Sequence, residues 1–169
     1  NIMIAKIKDA KIHKAVIIDT EKTIFEAASI IKKEKVPTLL LRDEKGEMYI
    51  VTDSDFRQKV ILNRMDFDDK VIKIASKGLI YVNEDDFLFN AQLTMAKHGL
   101  KRVVVQNDKK EIVGILDQIS LSSFFATNTF SVSNQIVKAE TLEELKEASL
   151  SFIKIIKSLN AKGVKIEFI

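Results

Sequence analysis

Apolar positions along the 169-residue chain fall into short runs and helical stripes that recur in a fixed order. Residues 16–18 form a short apolar run, consistent with a buried strand. Ile24, Ala27, Ala28 and Ile31 follow at the i, i+3, i+4, i+7 spacing of one helix face. Residues 39–41 and 48–52 then read as two β-rich strands flanking the polar turn RDEKGE, which predicts a hairpin. A second helix is expected over residues 53–62. Pro37, the single proline, stands just before a strand, where its missing N–H does least harm.

The same order then returns. Shifting the chain by 64 residues sets Phe25 on Phe89, Ala27 on Ala91, Lys33 on Lys97, Lys45 on Lys109, Glu47 on Glu111 and Asp53 on Asp117, with no gap. AVIID pairs with LIYVN, PTLLLRDEKGE with KRVVVQNDKKE, and MYIVTD with IVGILD. Chance leaves isolated identities; it does not keep three strand-like runs, a helix and a turn in register. The second copy predicts strands at 79–82, 103–105 and 112–116. Its first helix carries Leu88, Ala91 and Met95 and ends at Gly99; its second covers 117–125. The chain is therefore expected to be α/β, two β-α-β-β-α units at residues 1–64 and 65–129. Residues 130–169 differ and predict a helical extension. TLEE at 141–144 has the form of a capping box. Leu142, Leu145, Phe152, Ile153, Ile156 and Leu159 make a helical apolar stripe, with Gly163 as its expected end.

Composition changes the functional picture mainly by exclusion. The net charge of +3 comes from 27 basic and 24 acidic residues whose signs are interleaved, which argues against a nucleic-acid face. Without cysteine there are no disulfides and no thiolate metal sites, and a reducing cytoplasm is the expected compartment. His13 and His98 are too few for a multi-histidine metal site and read as surface residues. No apolar run approaches the roughly 20 residues that cross a bilayer, so no membrane partner is expected. The N-terminus does not read as a signal peptide. Beginning at Asn1 and stopping at KIEFI, the chain reads as a piece of something longer. It has no G-x-x-x-x-G-K-[ST], G-x-G-x-x-G, H-E-x-x-H or G-x-S-x-G, and no enzymatic activity is expected of it.

The stretch YIVTDSDF, residues 49–56, runs an apolar strand straight into hydroxyls and carboxylates. Locally, Thr, Ser and Asp are the residues that open helices, and an acid in the first turn is favoured by the helix dipole. Chemically, a carboxylate there can grip the vicinal hydroxyls of a ribose by charge-assisted hydrogen bonds. The tandem units, with Thr52 and Asp55 as a strand-ending T-x-x-D, resemble a pair of CBS domains (a Bateman module) over residues 8–128. The resemblance implies a non-catalytic regulatory module needing no cofactor. It would bind AMP, ADP, ATP or S-adenosylmethionine in the cleft between the repeats.

By that resemblance Asp55 holds the ribose, Thr52 meets the sugar or α-phosphate, and Ser54 adds a hydroxyl. Gly78, Leu79 and Ile80, with Ile50, wall the adenine; Lys101 and Arg102, and more weakly Lys77, meet phosphate, as do the N–H groups of the helix beginning near Asp53. The bland readings stand beside these: Leu79 and Ile80 as ordinary core, Lys101 and Arg102 as cations protecting a strand edge. In the second copy Leu116, Gln118 and Ile119 replace Thr52, Ser54 and Asp55, which leaves one site per chain. The resemblance further implies a homodimer through the repeat helices. Residues 133–166 resemble a connecting segment of bacterial signal-transduction proteins, in which a nucleotidyltransferase domain follows the CBS pair. The rival expectation is a dimerisation scaffold whose ligand site has decayed.

Overall fold

The computed structural model describes residues 5–137, 139 and 141–161. They form two compact units, one from residues 12–83 and 103–115, the other from the described parts of 1–11, 84–102 and 116–169. Each unit draws on both sequence copies.

The first unit holds β1 (Ile17–Asp19), α1 (Ile24–Glu34), β2 (Thr38–Arg42) and β3 (Met48–Thr52), followed by a single α-turn, α2 (Asp53–Asp55). The same helix continues as a wider π-helical turn, Phe56–Ile61. β4 (Tyr81–Asn83) and most of β5 (Arg102–Gln106) and β6 (Ile112–Asp117) complete it. Each three-stranded sheet has the order in which the chain makes it, β1-β2-β3 and β4-β5-β6. β1 and β2 are parallel with Ile17 beside Leu40, whereas β2 and β3 are antiparallel with Leu40 beside Ile50. Tyr81 stands beside Val104 in the parallel pair of the second sheet.

Alternation along β2 explains why three successive leucines are all buried. Leu39 and Leu41 face α1 and join Ile24, Ala27, Val51, Val60, Val71 and Ile74. Leu40 faces the other way and meets Val104 and Ile115 of the second sheet, ringed by Met48, Ile50, Leu79 and Ile112. Each such side chain contributes about 1.5–3 kcal/mol when fully buried, so this two-sided strand anchors the unit.

The second unit is helical: α3 (Leu88–His98), α4 (Gln118–Val137) and α5 (Leu142–Ala161). α4 packs on α3 and α5 on α4. Thr141 and Glu144 form the expected capping box, Thr141 N–H donating to the Glu144 carboxylate at 3.2 Å and Glu144 N–H to the Thr141 hydroxyl at 3.1 Å. Ala148 is buried on α5, but Leu142, Leu145 and Ile153 of the expected stripe are exposed. The side chains of Phe152, Ile156 and Leu159, and the expected stop at Gly163, lie outside the described residues.

Ahead of each first strand a short lead segment makes the same turn: Ile7–Asp9 in one copy and Val71–Ile74 in the other. Each lead pairs with the helix start of the opposite copy. Ile24 N–H donates to Asp69 C=O at 2.9 Å and Val71 N–H to Lys22 C=O at 2.8 Å in the first unit. In the second, Leu88 N–H donates to Ala5 C=O and Ile7 N–H to Asp86 C=O, both at 2.9 Å. This exchange satisfies the free N–H groups that open a helix. It also explains why the compact units cut across the sequence repeats.

The structure corrects several element expectations. Ala28 is exposed, and the buried face of α1 runs through Ile24 and Ala27. β1 and β4 begin one and two residues later than the apolar runs, because Val16, Leu79 and Ile80 are spent on core contacts and the strand's first hydrogen bonds. α4 does not stop near residue 125 but continues through the 129/130 junction to Val137.

Candidate functional site

The strand-ending motif is built as a corner. Thr52 closes β3 in extended conformation, and Asp55 lies one turn into the helix that follows. Thr52 N–H donates to Asp55 Oδ2 at 2.8 Å, and the Thr52 hydroxyl donates to the same oxygen at 3.1 Å. Asp55 Oδ1 accepts from Lys59 Nζ at 2.8 Å, and only 13% of the Asp55 side chain is exposed. The local capping role expected of this acid is therefore realised. An ionised carboxylate offers about four lone-pair positions; the bonds just given occupy both on Oδ2 and one on Oδ1.

Lys59 extends the corner. Its Nζ also donates to Ile74 C=O at 2.7 Å and lies 3.4 Å from the Ser76 hydroxyl. Ser76 in turn exchanges backbone bonds with Ile50, at 3.0 and 2.9 Å. Residues 74–76 are thus stitched to both ends of the Ile50–Asp55 corner, which brings the start of the 78–80 segment beside it. Gly78 turns the chain there at φ +85°, a conformation that a side chain would strain. Leu79 packs with Ile50 on the cluster between the two sheets, and Ile80 C=O accepts from Val104 N–H at 2.9 Å. Leu79 and Ile80 are half-buried, Leu79 at the edge of a core cluster and neither within one, and Ser54 is half-buried beside the corner.

Of the expected cations, Lys77 already has partners: the Glu47 carboxylate at 3.3 Å and the face of the Tyr49 ring 5.3 Å below it. The hydrogen bond to Glu47 raises the Lys77 pKa. Lys101 and Arg102 belong to the other unit. Lys101 is exposed, and its C=O accepts from Gln118 N–H at 2.9 Å. Arg102 is half-buried, and its Nε is buried without a hydrogen-bond partner.

The corresponding corner of the second copy has no such carboxylate. Leu116 is buried, Ile119 is exposed, and Asp117 caps the helix by accepting from Ser120 N–H at 2.6 Å. Asp53 stands at the equivalent position of the first copy, so capping alone does not require an acid at Asp55. Lys59 is the functional candidate that sequence reasoning missed; its only signal is the i+4 spacing from Asp55. A separate recess of about 280 Å³, lined by Tyr81, Asn83, Gln106, Asn107, Asp108 and Lys110 among others, contains none of the expected site residues. Among the described residues no group of three acids or histidines is gathered for a metal ion, and no helix is long and apolar enough to cross a membrane.

Comparisons with known proteins agree with this architecture. Residues 71–126 match the CBS domain family model. The CBS domain pair of protein MJ0100, solved with 5′-methylthioadenosine and S-adenosyl-L-methionine, is similar at 25% identity and a TM-score of 0.62. The match covers 74% of this chain and 98% of that one. A CBS domain protein of Pyrobaculum aerophilum, PAE2072, solved with AMP, shares the fold at 23% identity and a TM-score of 0.60, covering 73% and 99%. Among curated sequences, the carnitine transport ATP-binding protein OpuCA of Listeria monocytogenes is 29% identical over 129 residues. That alignment takes in 73% of this chain but 32% of the relative, so the chain spans about a third of that protein's length. The fold is that of a CBS domain pair, α/β with two small three-stranded sheets.

Proposed function

We propose that this chain is a non-catalytic regulatory module that binds one adenosine-containing ligand at the Thr52–Asp55 corner. The carrying observation is Asp55 itself, largely buried, fixed by Thr52 and Lys59, and still holding a free lone-pair position on Oδ1. One ribose hydroxyl donates to that position. The other takes Oδ2 once the Thr52 hydroxyl turns away and offers its oxygen and proton to the sugar. Ser54 adds a hydroxyl, while Ile50, Gly78, Leu79 and Ile80 supply the apolar wall for adenine. Lys101 and Arg102, carried by the other unit, are the candidates for the phosphate. The 5′-methylthioadenosine, S-adenosyl-L-methionine and AMP bound by the similar structures support this ligand class.

We further propose that, in the cytoplasm, the bound state passes to a neighbouring domain of the full protein; the resemblance of residues 133–166 to a connecting segment supports a nucleotidyltransferase there. Phe25, Ile61, Leu62 and Phe67 are exposed on one unit, and Phe25 N–H donates to Phe67 C=O at 3.0 Å. We take this apolar surface as the contact with a second copy. Light scattering is expected to give a dimer that Phe67→Glu converts to monomer.

A thermal-shift screen with AMP, ADP, ATP and S-adenosylmethionine tests the sensor. A ligand that binds only the native state at about 100 times its Kd adds about 2.7 kcal/mol, and Asp55→Ala removes that gain. The second reading is the dimerisation scaffold, favoured by the fact that Thr52 and Lys59 already engage both oxygens of Asp55. It predicts no shift with any of the four compounds.

A further inference from the structure

We infer that Lys59 is a positioning residue for the sugar-binding carboxylate, and that it sets the preference for ribose over 2′-deoxyribose; this rests on the adenosine reading above. Lys59 Nζ is held from two sides, by Asp55 Oδ1 at 2.8 Å and Ile74 C=O at 2.7 Å. Ile74 is fully buried, so its carbonyl is a fixed point rather than a mobile acceptor. Lys59 thereby fixes the carboxylate plane relative to the 74–80 segment that walls the adenine.

Two further observations point the same way. The helix is π-wound through Phe56–Ile61, so the turn bearing Lys59 is wider than a regular one. Such turns gather at functional sites. In the second copy α4 is regular from Gln118 onward, and Ser123 occupies the place of Lys59 where Ile119 replaces Asp55. Carboxylate, lysine and wide turn are present together in one copy and absent together from the other.

The chemistry that follows is selective. A vicinal diol needs both carboxylate oxygens in one orientation, whereas a 2′-deoxy sugar uses a single hydroxyl and tolerates a rotated carboxylate. Losing one hydrogen bond to a charged group costs about 1.5–3 kcal/mol, roughly 10- to 100-fold in affinity.

The test titrates AMP and 2′-deoxy-AMP into the wild-type chain, Lys59→Met and Lys59→Arg, with the melting temperature of each free protein as a folding control. The wild type is expected to prefer AMP at least about tenfold. Lys59→Met should lose that preference through weaker AMP binding, with 2′-deoxy-AMP nearly unchanged, and Lys59→Arg should restore much of it. A Lys59→Met protein that keeps the ratio, whether both affinities fall together or neither moves, overturns the positioning role. If Lys59→Met does not fold, Lys59→Gln takes its place: loss of the AMP preference upholds the inference, and an unchanged ratio refutes it. Wild-type protein silent to AMP also refutes it; silence toward all four adenosine compounds refutes the site reading itself.

Discussion

Replacing Gly114 by alanine is a sharp test of how residues 12–13 are held on β6. Gly114 lies inside β6, and its φ is not in the left-handed region, so the backbone itself would accept a side chain. The obstacle is space. A Cβ built there stands 2.3 Å from Ile12 Cγ2 and 2.5 Å from the His13 carbonyl oxygen. The Ile12 side chain can turn, but the His13 carbonyl cannot easily. It accepts from Ile115 N–H at 2.9 Å, while His13 N–H donates to Ile115 C=O at 2.9 Å.

The methyl group therefore pushes apart a reciprocal pair of backbone bonds. Overpacking costs typically about 1–3 kcal/mol, and each bond lost adds about 0.5–1.5 kcal/mol. Against this, alanine regains about 0.5–1 kcal/mol of the entropy that glycine gives up in a strand. The net expectation is a loss of about 2–4 kcal/mol, read from urea unfolding followed by circular dichroism. A Gly114→Ala protein as stable as the wild type would show that residues 12–13 are not fixed on β6 and would refute this reasoning.

Other outcomes follow from the caps and the charges. Lys35 ends α1 at φ 54°, the left-handed position that Gly99 occupies 64 residues later at φ 62°. Lys35→Gly should therefore raise stability by roughly 0.5–1 kcal/mol in the same unfolding assay, whereas Gly99→Ala should lower it. Asp43 is held below the usual carboxylate range by the Glu47 N–H, Asp85 by its hydrogen bond from Lys8, Glu26 by the Thr23 N–H and Glu34 by Lys14. A carboxyl with a lowered native pKa stabilises the fold above its unfolded value and loses that contribution as pH falls through the native one. Melting temperatures should accordingly hold from neutrality down to the upper edge of the carboxylate range and fall below it. Since all four lie in pairs or turns at the surface, high salt should shrink the effect.

Much of this fold was legible because the repeat was in register. β3 spans 48–52 as read, β2 and β5 each extend the expected run by one residue at either end, and Leu88, Ala91 and Met95 are buried on α3. The first hairpin turn and the end of α3 were readable because glycine supplies their left-handed backbone, Gly46 at φ 82° and Gly99 at φ 62°. Alternation could not be read from Leu39, Leu40 and Leu41, since a strand buried on both faces shows no polar positions. α4 was hidden for the opposite reason. Its Ser, Thr and Asn residues are weak helix formers, and packing against α3 outweighs that preference. Nothing in the apolar pattern announces the exchange of lead segments, because Ile7 and Val71 carry no sign of the helix starts in the opposite copy that they meet. At the site, Thr52 and Asp55 were readable from the motif. Lys59 was not, since an i+4 acid–base pair is common on any helix surface.

The central claim is one adenosine-binding corner per chain, on the copy that keeps its carboxylate. Isothermal titration of the whole chain with AMP, ADP, ATP and S-adenosylmethionine addresses it directly. A single class of sites at one ligand per chain, abolished by Asp55→Asn and untouched by Ile119→Ala, is the expected result. Two ligands per chain, heat that survives Asp55→Asn, or no heat with any of the four would contradict it.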